Sequence, residues 1–317
     1  MTVSSAGCRQ HGPVSAARRS AAAADNMRGS PDTVAASDRL LGVFLTTHEV
    51  ADPTFIQRRR LRLAGIALHI YTASGSVLAL LIVVAAMDGN VIRALWLMLA
   101  ALVIDGTDGM LARRLRVGET IPSFDGARLD DIVDYLTYAF APMVLLWTGH
   151  FLPSGWLGLA LAALPLLASS YQFCRVDAKT ADHFFLGFPS YWNVIAFYVV
   201  VLDLSPAITA AVLIVCAVLV FVPVRYLYPS RTNFLRRTNL ALSAVWLVTY
   251  AVLLVQVPNP HAVVVGLSLL YVVYYGGLSL YLTVTRTQRR GRRETVTTTG
   301  TADLDRPEPA AATDHGD

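Results

Sequence analysis

A chain of 317 residues that is 55% hydrophobic and only 15% charged, with a mean hydropathy of +0.51, lies outside the range of soluble globular domains, in which about a quarter of residues carry charge. Its 26 Lys and Arg against 22 Asp and Glu leave a net charge of +4, too small and too dispersed among apolar sequence to mark a nucleic-acid binder. Cys8, Cys174 and Cys216 stand far apart with no CxxC spacing, offering neither a disulfide framework nor a zinc site. The fold class these numbers leave is an all-α, polytopic membrane protein.

In chain order, residues 1–45 are rich in Ala, Ser and Arg and read as a disordered extension. The segment "ADPTFIQRRRLRLAG" that follows mixes apolar and basic residues, a pattern suited either to an amphipathic helix on the membrane surface or to a positive anchor that fixes topology. Eight apolar stretches come next, at 64–87, 91–104, 132–147, 156–170, 192–202, 208–222, 240–255 and 263–282. Several are shorter than the ~20 residues that cross a bilayer, so their helices must run on into polar sequence. The second stretch in particular is expected to continue through the acidic residues beyond Ile104. After Thr285 a basic run and a Thr-rich acidic end read as a second disordered tail, which leaves 46–285 as the membrane-embedded domain.

Basic residues alternate between the connections. They precede the first stretch (Arg58, Arg59, Arg60, Arg62) and recur after the second, fourth, sixth and eighth, whereas the connections around Asp88, His150, Asp203 and Asn259 carry none. By the positive-inside rule both termini face the cytoplasm, together with the connection after the second stretch.

That connection holds the chemistry. Asp105 and Asp108 are three apart, and Asp130 and Asp134 are four apart, so on helices each pair shares a face. Four carboxylates at neighbouring helix ends repel unless a cation sits between them. An all-oxygen site suits a hard divalent cation, Mg²⁺, Mn²⁺ or Ca²⁺, and a pair of such ions suits displacement at phosphorus. Gly109 and Gly126 remove side chains where a ligand or helix approaches closely. Arg113, one turn beyond Gly109, brings a guanidinium suited to phosphate. Acidic residues at such a position are functional by default; the plainer alternative is that they only solvate helix ends.

The pattern Asp105-x2-Asp108-Gly109-x2-Ala112-Arg113, then Gly126-x3-Asp130-x3-Asp134, resembles the signature of the CDP-alcohol phosphotransferases at every fixed position. Twelve residues separate Arg113 from Gly126, a spacer longer than is usual in that family and similar to its bacterial phosphatidylcholine synthase branch. "ARLDDIVDYLTYAFAPM" and "DHFFLGFPSYWNVIAFY" resemble that branch too. The resemblance implies a six-helix catalytic core inside the eight-helix chain. It implies CDP-diacylglycerol and choline as substrates, CMP as product, and a divalent cation, Mn²⁺ or Mg²⁺, as cofactor. It further implies an inner-membrane location and, commonly, a homodimer. Carried over residue by residue, Asp105, Asp108 and Asp130 would hold metal, with Asp134 a further ligand and the general base. Gly109, Ala112, Arg113 and Gly126 would hold the CDP-lipid.

For choline the expected recognition is cation–π attraction, with Tyr138, Tyr191 and Trp192 as candidates beside Tyr135, Tyr171 and Phe184. Interfacial Tyr and Trp occur regardless of any ligand. Serine, inositol or inositol phosphate remain alternative acceptors, and a transporter or scaffold remains the alternative class.

Overall fold

The structure, a computed structural model, describes residues 53–178, 184–227 and 235–302; the expected extension at 1–45 lies outside them, as does His183, and so do residues 303–317 of the expected tail. The chain is helical nearly throughout: α1 (Pro53–Met87), α2 (Val91–Leu115), the single turn α3 (Val117–Thr120), α4 (Gly126–Asp134), a π-helical segment (Tyr135–Phe140), α5 (Ala141–Thr148), α6 (Trp156–Cys174), α7 (Trp192–Val201), α8 (Pro206–Phe221), α9 (Arg236–Gln256) and α10 (Ala262–Ala302). Among the described residues two three-residue strands are the exception. β1 (Phe184–Leu186) follows α6, β2 (Arg225–Leu227) follows α8, and they pair antiparallel with Phe185 opposite Tyr226.

Each of the eight apolar stretches lies in helix. Five helices are long and apolar enough to cross a membrane unaided, over Gln57–Met87, Val91–Leu115, Trp156–Cys174, Arg236–Gln256 and Ala262–Thr285. Trp192–Val201 and Pro206–Phe221 are shorter, and the third stretch is divided among α4, the π segment and α5. Ile70, Leu80, Val248 and Val273 are each more than half exposed, as expected of helices that face hydrocarbon rather than water. The chain is a multi-pass membrane protein.

Three boundaries differ from expectation. The basic segment before the first span is no separate surface helix; it is the start of α1, because no Gly or Pro interrupts it between Pro53 and Ala64. At the other end, α10 continues past Thr285 to Ala302, so the segment expected to be disordered from 286 is helical to that point. Its Arg, Gln and Glu residues favour helix and it contains no proline. The last departure is the π segment, whose extra residue per turn re-aims the side chains between Asp134 and Ala141.

The core is two packed clusters. One joins α1, α2, α5, α7 and α9 through Ile82, Leu95, Met98, Leu145 and Tyr250, with Phe197 stacked on Tyr250 at 3.6 Å between ring centroids. The other joins α5, α6, α7 and α8 through Met143, Leu146, Ala162, Trp192 and Leu213. The first holds α2, and both take in residues of the π segment into which α4 runs.

Candidate active site

Helix α2 begins at Asn90, whose side chain accepts from the Arg93 N–H, and ends at Arg116 in the left-handed region (φ 49°). It therefore runs unbroken through the acidic motif, as its short apolar stretch required. Helix α4 starts at Gly126, capped by Asp125, whose carboxylate accepts from the Arg128 N–H at 3.1 Å. With α4 starting there, Gly126 and Asp130 occupy one face of it.

Asp105, Asp108 and Asp130 converge: each offers a carboxylate oxygen, and these oxygens lie within 4.8 Å of one another. At that separation two unit charges repel by about 3.5 kcal/mol at an effective dielectric of 20. Asp108 is only 5% exposed, so water screens it little. Three crowded carboxylates of this kind fit a hard divalent cation. Helix α1 braces them, since the Thr72 hydroxyl donates to Asp108 Oδ2 at 2.8 Å and the Tyr71 and Thr107 hydroxyls are hydrogen-bonded at 2.9 Å. The Tyr138 hydroxyl donates to Asp105 Oδ2 at 2.5 Å.

These carboxylates open into a cavity of about 1690 Å³, which Gly109, Ala112, Arg113, Gly126, Tyr138 and Tyr191 also line. A Cβ on Gly109 would stand 3.3 Å from an Arg113 guanidinium nitrogen, and one on Gly126 would stand 2.9 Å from His69 Cε1. The glycines thus leave room for an arginine and a histidine rather than merely for empty space. His69 packs on Phe124 with centroids 4.3 Å apart and lines the cavity. Its Nε2 is buried without a hydrogen-bond partner.

Two expected residues stand apart from this convergence. Asp134 lies at the junction of α4 and the π segment, within electrostatic reach of the Tyr138 hydroxyl, but is neither one of the three clustered carboxylates nor part of the cavity wall. Trp192 is fully buried. Its indole donates to Ser169 Oγ at 2.7 Å and packs edge-on against Phe188, so it is a core residue and not an acceptor contact. Tyr135, Tyr171 and Phe184 are likewise absent from the wall. Arg128 pairs with Asp125 at 3.9 Å. Arg175 is occupied by a two-pronged bond to Asp177, both contacts at 2.7 Å, which holds that carboxyl below its usual range.

The chain matches the CDP-alcohol phosphatidyltransferase family over residues 69–224. It is 38% identical to a phosphatidylcholine synthase of Pseudomonas aeruginosa over 67% of this chain and 89% of that protein. The chain belongs to the CDP-alcohol phosphatidyltransferase family. A phosphatidylcholine synthase of Legionella bozemanae is 42% identical over 61% of this chain and 91% of its own, and one of Borreliella burgdorferi is 34% identical over 68% and 92%. As a member of this family the chain is a membrane transferase acting on substituted phosphate groups, and the Asp-Gly-Arg signature is the part of it that converges on the cavity.

Reading the sequence missed several wall residues. Thr72 and His69 were two among several polar residues of 69–76 in an apolar span, and intramembrane polarity was the one signal they gave. Tyr226, Tyr271 and Tyr275 also line the cavity; the tyrosine-rich run "YVVYYGG" was indistinguishable from an interfacial aromatic belt.

Proposed function

We propose that this chain is a phosphatidylcholine synthase, which transfers the phosphatidyl group of CDP-diacylglycerol to choline and releases CMP at the cytoplasmic face of a bacterial inner membrane. The observation that carries it is the convergence of Asp105, Asp108 and Asp130, beside Gly109 and Arg113, at the wall of a cavity within a membrane-spanning bundle. The similarity to phosphatidylcholine synthases over about nine-tenths of their length supports the choice of acceptor. Alternation of basic and non-basic connections supports the orientation.

In this reading the choline oxygen attacks the phosphorus that bears diacylglycerol. The bond from that phosphorus to the oxygen bridging to CMP breaks, and CMP departs with the electron pair. We assign the hydroxyl proton to the Asp134 carboxylate from its place in the family motif, one turn beyond Asp130 on α4 although outside the cavity wall in this structure, since an alcohol needs a base to become a competent nucleophile at neutral pH. Asp105, Asp108 and Asp130 would hold the divalent cation, Mn²⁺ or Mg²⁺. When bound, such a cation supplies neutralisation of pyrophosphate charge. Arg113 grips phosphate oxygens, and Gly109, Ala112 and Gly126 let the CDP moiety lie close to α2 and α4. Tyr138 and Tyr191 present rings to the choline ammonium, and Tyr138 also fixes the Asp105 carboxylate. Holding one substrate in the lipid and the other in the same cavity turns an encounter into an oriented attack.

The test is CMP release from CDP-diacylglycerol by membranes containing the chain, with choline, serine, inositol or inositol phosphate as acceptor. Choline-dependent release, abolished by EDTA and lowered about 10²–10⁴-fold by Asp134→Asn, is the expected result. Release with another acceptor would replace choline; no release with any would remove the transferase reading of this site.

A further inference from the structure

The cavity wall is chemically divided. One part is aliphatic, with Leu240, Leu247, Leu269 and Val272 from α9 and α10, and suits acyl chains. The other is a run of tyrosines that starts at the metal-binding carboxylates. Tyr138, bonded to Asp105, meets Tyr191 edge to face at 6.2 Å between centroids, with planes turned 86°. Tyr191 meets Tyr275 at 6.2 Å and 56°. Tyr275 in turn lies 6.5 Å from Tyr226, their planes 26° apart. Four phenol rings so spaced and so rotated exceed what an acyl chain calls for, since aliphatic side chains bury hydrocarbon without bringing hydroxyls along.

A cation is drawn to ring faces within about 6 Å of a centroid. With successive centroids 6.2–6.5 Å apart, one cation placed among the rings is within reach of several. Two of these rings come from outside the stretch that matches the family: Tyr226 lies on β2 and Tyr275 on α10, whereas the match ends at residue 224. The strand pairing of Tyr226 with Phe185 ties β2 to the connection that leads into Tyr191.

We infer that Tyr226 and Tyr275, closing on Tyr191, form the cage for the acceptor's quaternary ammonium, so that acceptor specificity is set by the segment beyond residue 224 while the family stretch supplies the transfer chemistry. This rests on the reading of the chain as a choline-using transferase. The two-carbon tether of choline then places its hydroxyl toward the carboxylates and its trimethylammonium among the rings. Specificity comes from the permanent charge: a carbon isostere of the same shape has nothing to offer the ring quadrupoles.

The experiment uses the full chain in membranes, as wild type and as Tyr226→Leu, Tyr275→Leu, Tyr226→Phe and Tyr275→Phe. Choline KM and CDP-diacylglycerol KM are measured, with inhibition by 3,3-dimethylbutan-1-ol, the uncharged isostere of choline. The Leu variants are expected to raise choline KM by roughly 3- to 30-fold. CDP-diacylglycerol KM should stay within about twofold, and the preference for choline over the isostere should collapse by the same factor. The Phe variants, which keep the ring face, should stay close to wild type. The choline-to-isostere ratio is internal to each variant, so partial loss of folded enzyme leaves it readable. An unchanged ratio in the Leu variants overturns the cage. So does a Phe variant that falls as far as Leu, or a CDP-diacylglycerol KM that rises in step with that of choline. Wild-type membranes that release no CMP with choline would overturn the cage together with the reading beneath it, an outcome distinct from the other three.

Discussion

Thr72 shows how much of the site depends on residues that do no chemistry themselves. Its hydroxyl donates to the buried Asp108 at 2.8 Å, and a hydrogen bond to an ionised group in such a place is worth about 1.5–3 kcal/mol. Its removal leaves Asp108 free to rotate away from Asp105 and Asp130. Thr72→Val is therefore expected to raise the Mn²⁺ or Mg²⁺ concentration for half-maximal activity by about 10–100-fold, with Thr72→Ser near wild type. An unchanged metal titration in Thr72→Val would show that α1 does not orient the cluster. The acidic residues themselves were legible because several fixed positions recur at helical spacing, which few unrelated sequences produce. Thr72 and His69 were not, since they are two among several polar residues of 69–76, and what each touches lies more than thirty positions away. Trp192 misled for the opposite reason. An aromatic at a span boundary suggests an interface or a ligand, and only packing reveals that its ring and N–H are already engaged by Phe188 and Ser169.

At the scale of elements, α1, α2 and α4 form the site by close approach, and Gly126 is a position at the cavity wall where the tolerance is small. A methyl group there would press on His69 at 2.9 Å, and that imidazole is backed by Phe124, so it has little room to retreat. Gly126→Ala is expected to destabilise the protein by about 1–3 kcal/mol, seen as a lower melting temperature in detergent, and to reduce activity. Adding His69→Ala should recover much of the melting temperature, because the pair are direct neighbours and their effects do not add. Additive losses in the double variant would place the strain elsewhere. The eight apolar stretches marked the long apolar helices in advance, since burial in lipid needs little beyond hydrophobic length; α3 had no such mark. The π segment and the pairing of β1 with β2 had no such signature. Both arise from tertiary fit, the first where α4 must hand over to α5 beside Tyr138, the second where two connections meet.

At the scale of the whole molecule, the division of basic residues carries the proposed orientation, in which choline arrives from the cytoplasmic face. Gly118 follows the acidic motif and Asn259 lies between α9 and α10, and both are exposed. With native cysteines replaced by serine, Gly118→Cys is expected to react with a membrane-impermeant maleimide only after the cytoplasmic side is opened, and Asn259→Cys in intact cells. The reverse pattern would invert the topology and contradict the proposed cytoplasmic site. The acidic motif, its spacer and its flanking sequence made the family legible from sequence. The aromatic half of the cavity was legible only in Tyr138 and Tyr191, because its rings come from the π segment, the connection before α7, β2 and α10 and meet only when the bundle closes.

The most direct measurement is lipid analysis of a bacterial host whose membranes contain no phosphatidylcholine, expressing the full chain and supplied with choline. Phosphatidylcholine should accumulate only when choline is given, and should be absent from cells carrying Asp108→Asn inserted at the same level. Membranes that contain the wild-type chain but make no phosphatidylcholine, or that make it equally well with Asp108→Asn, would contradict a carboxylate-held, metal-dependent transfer to choline.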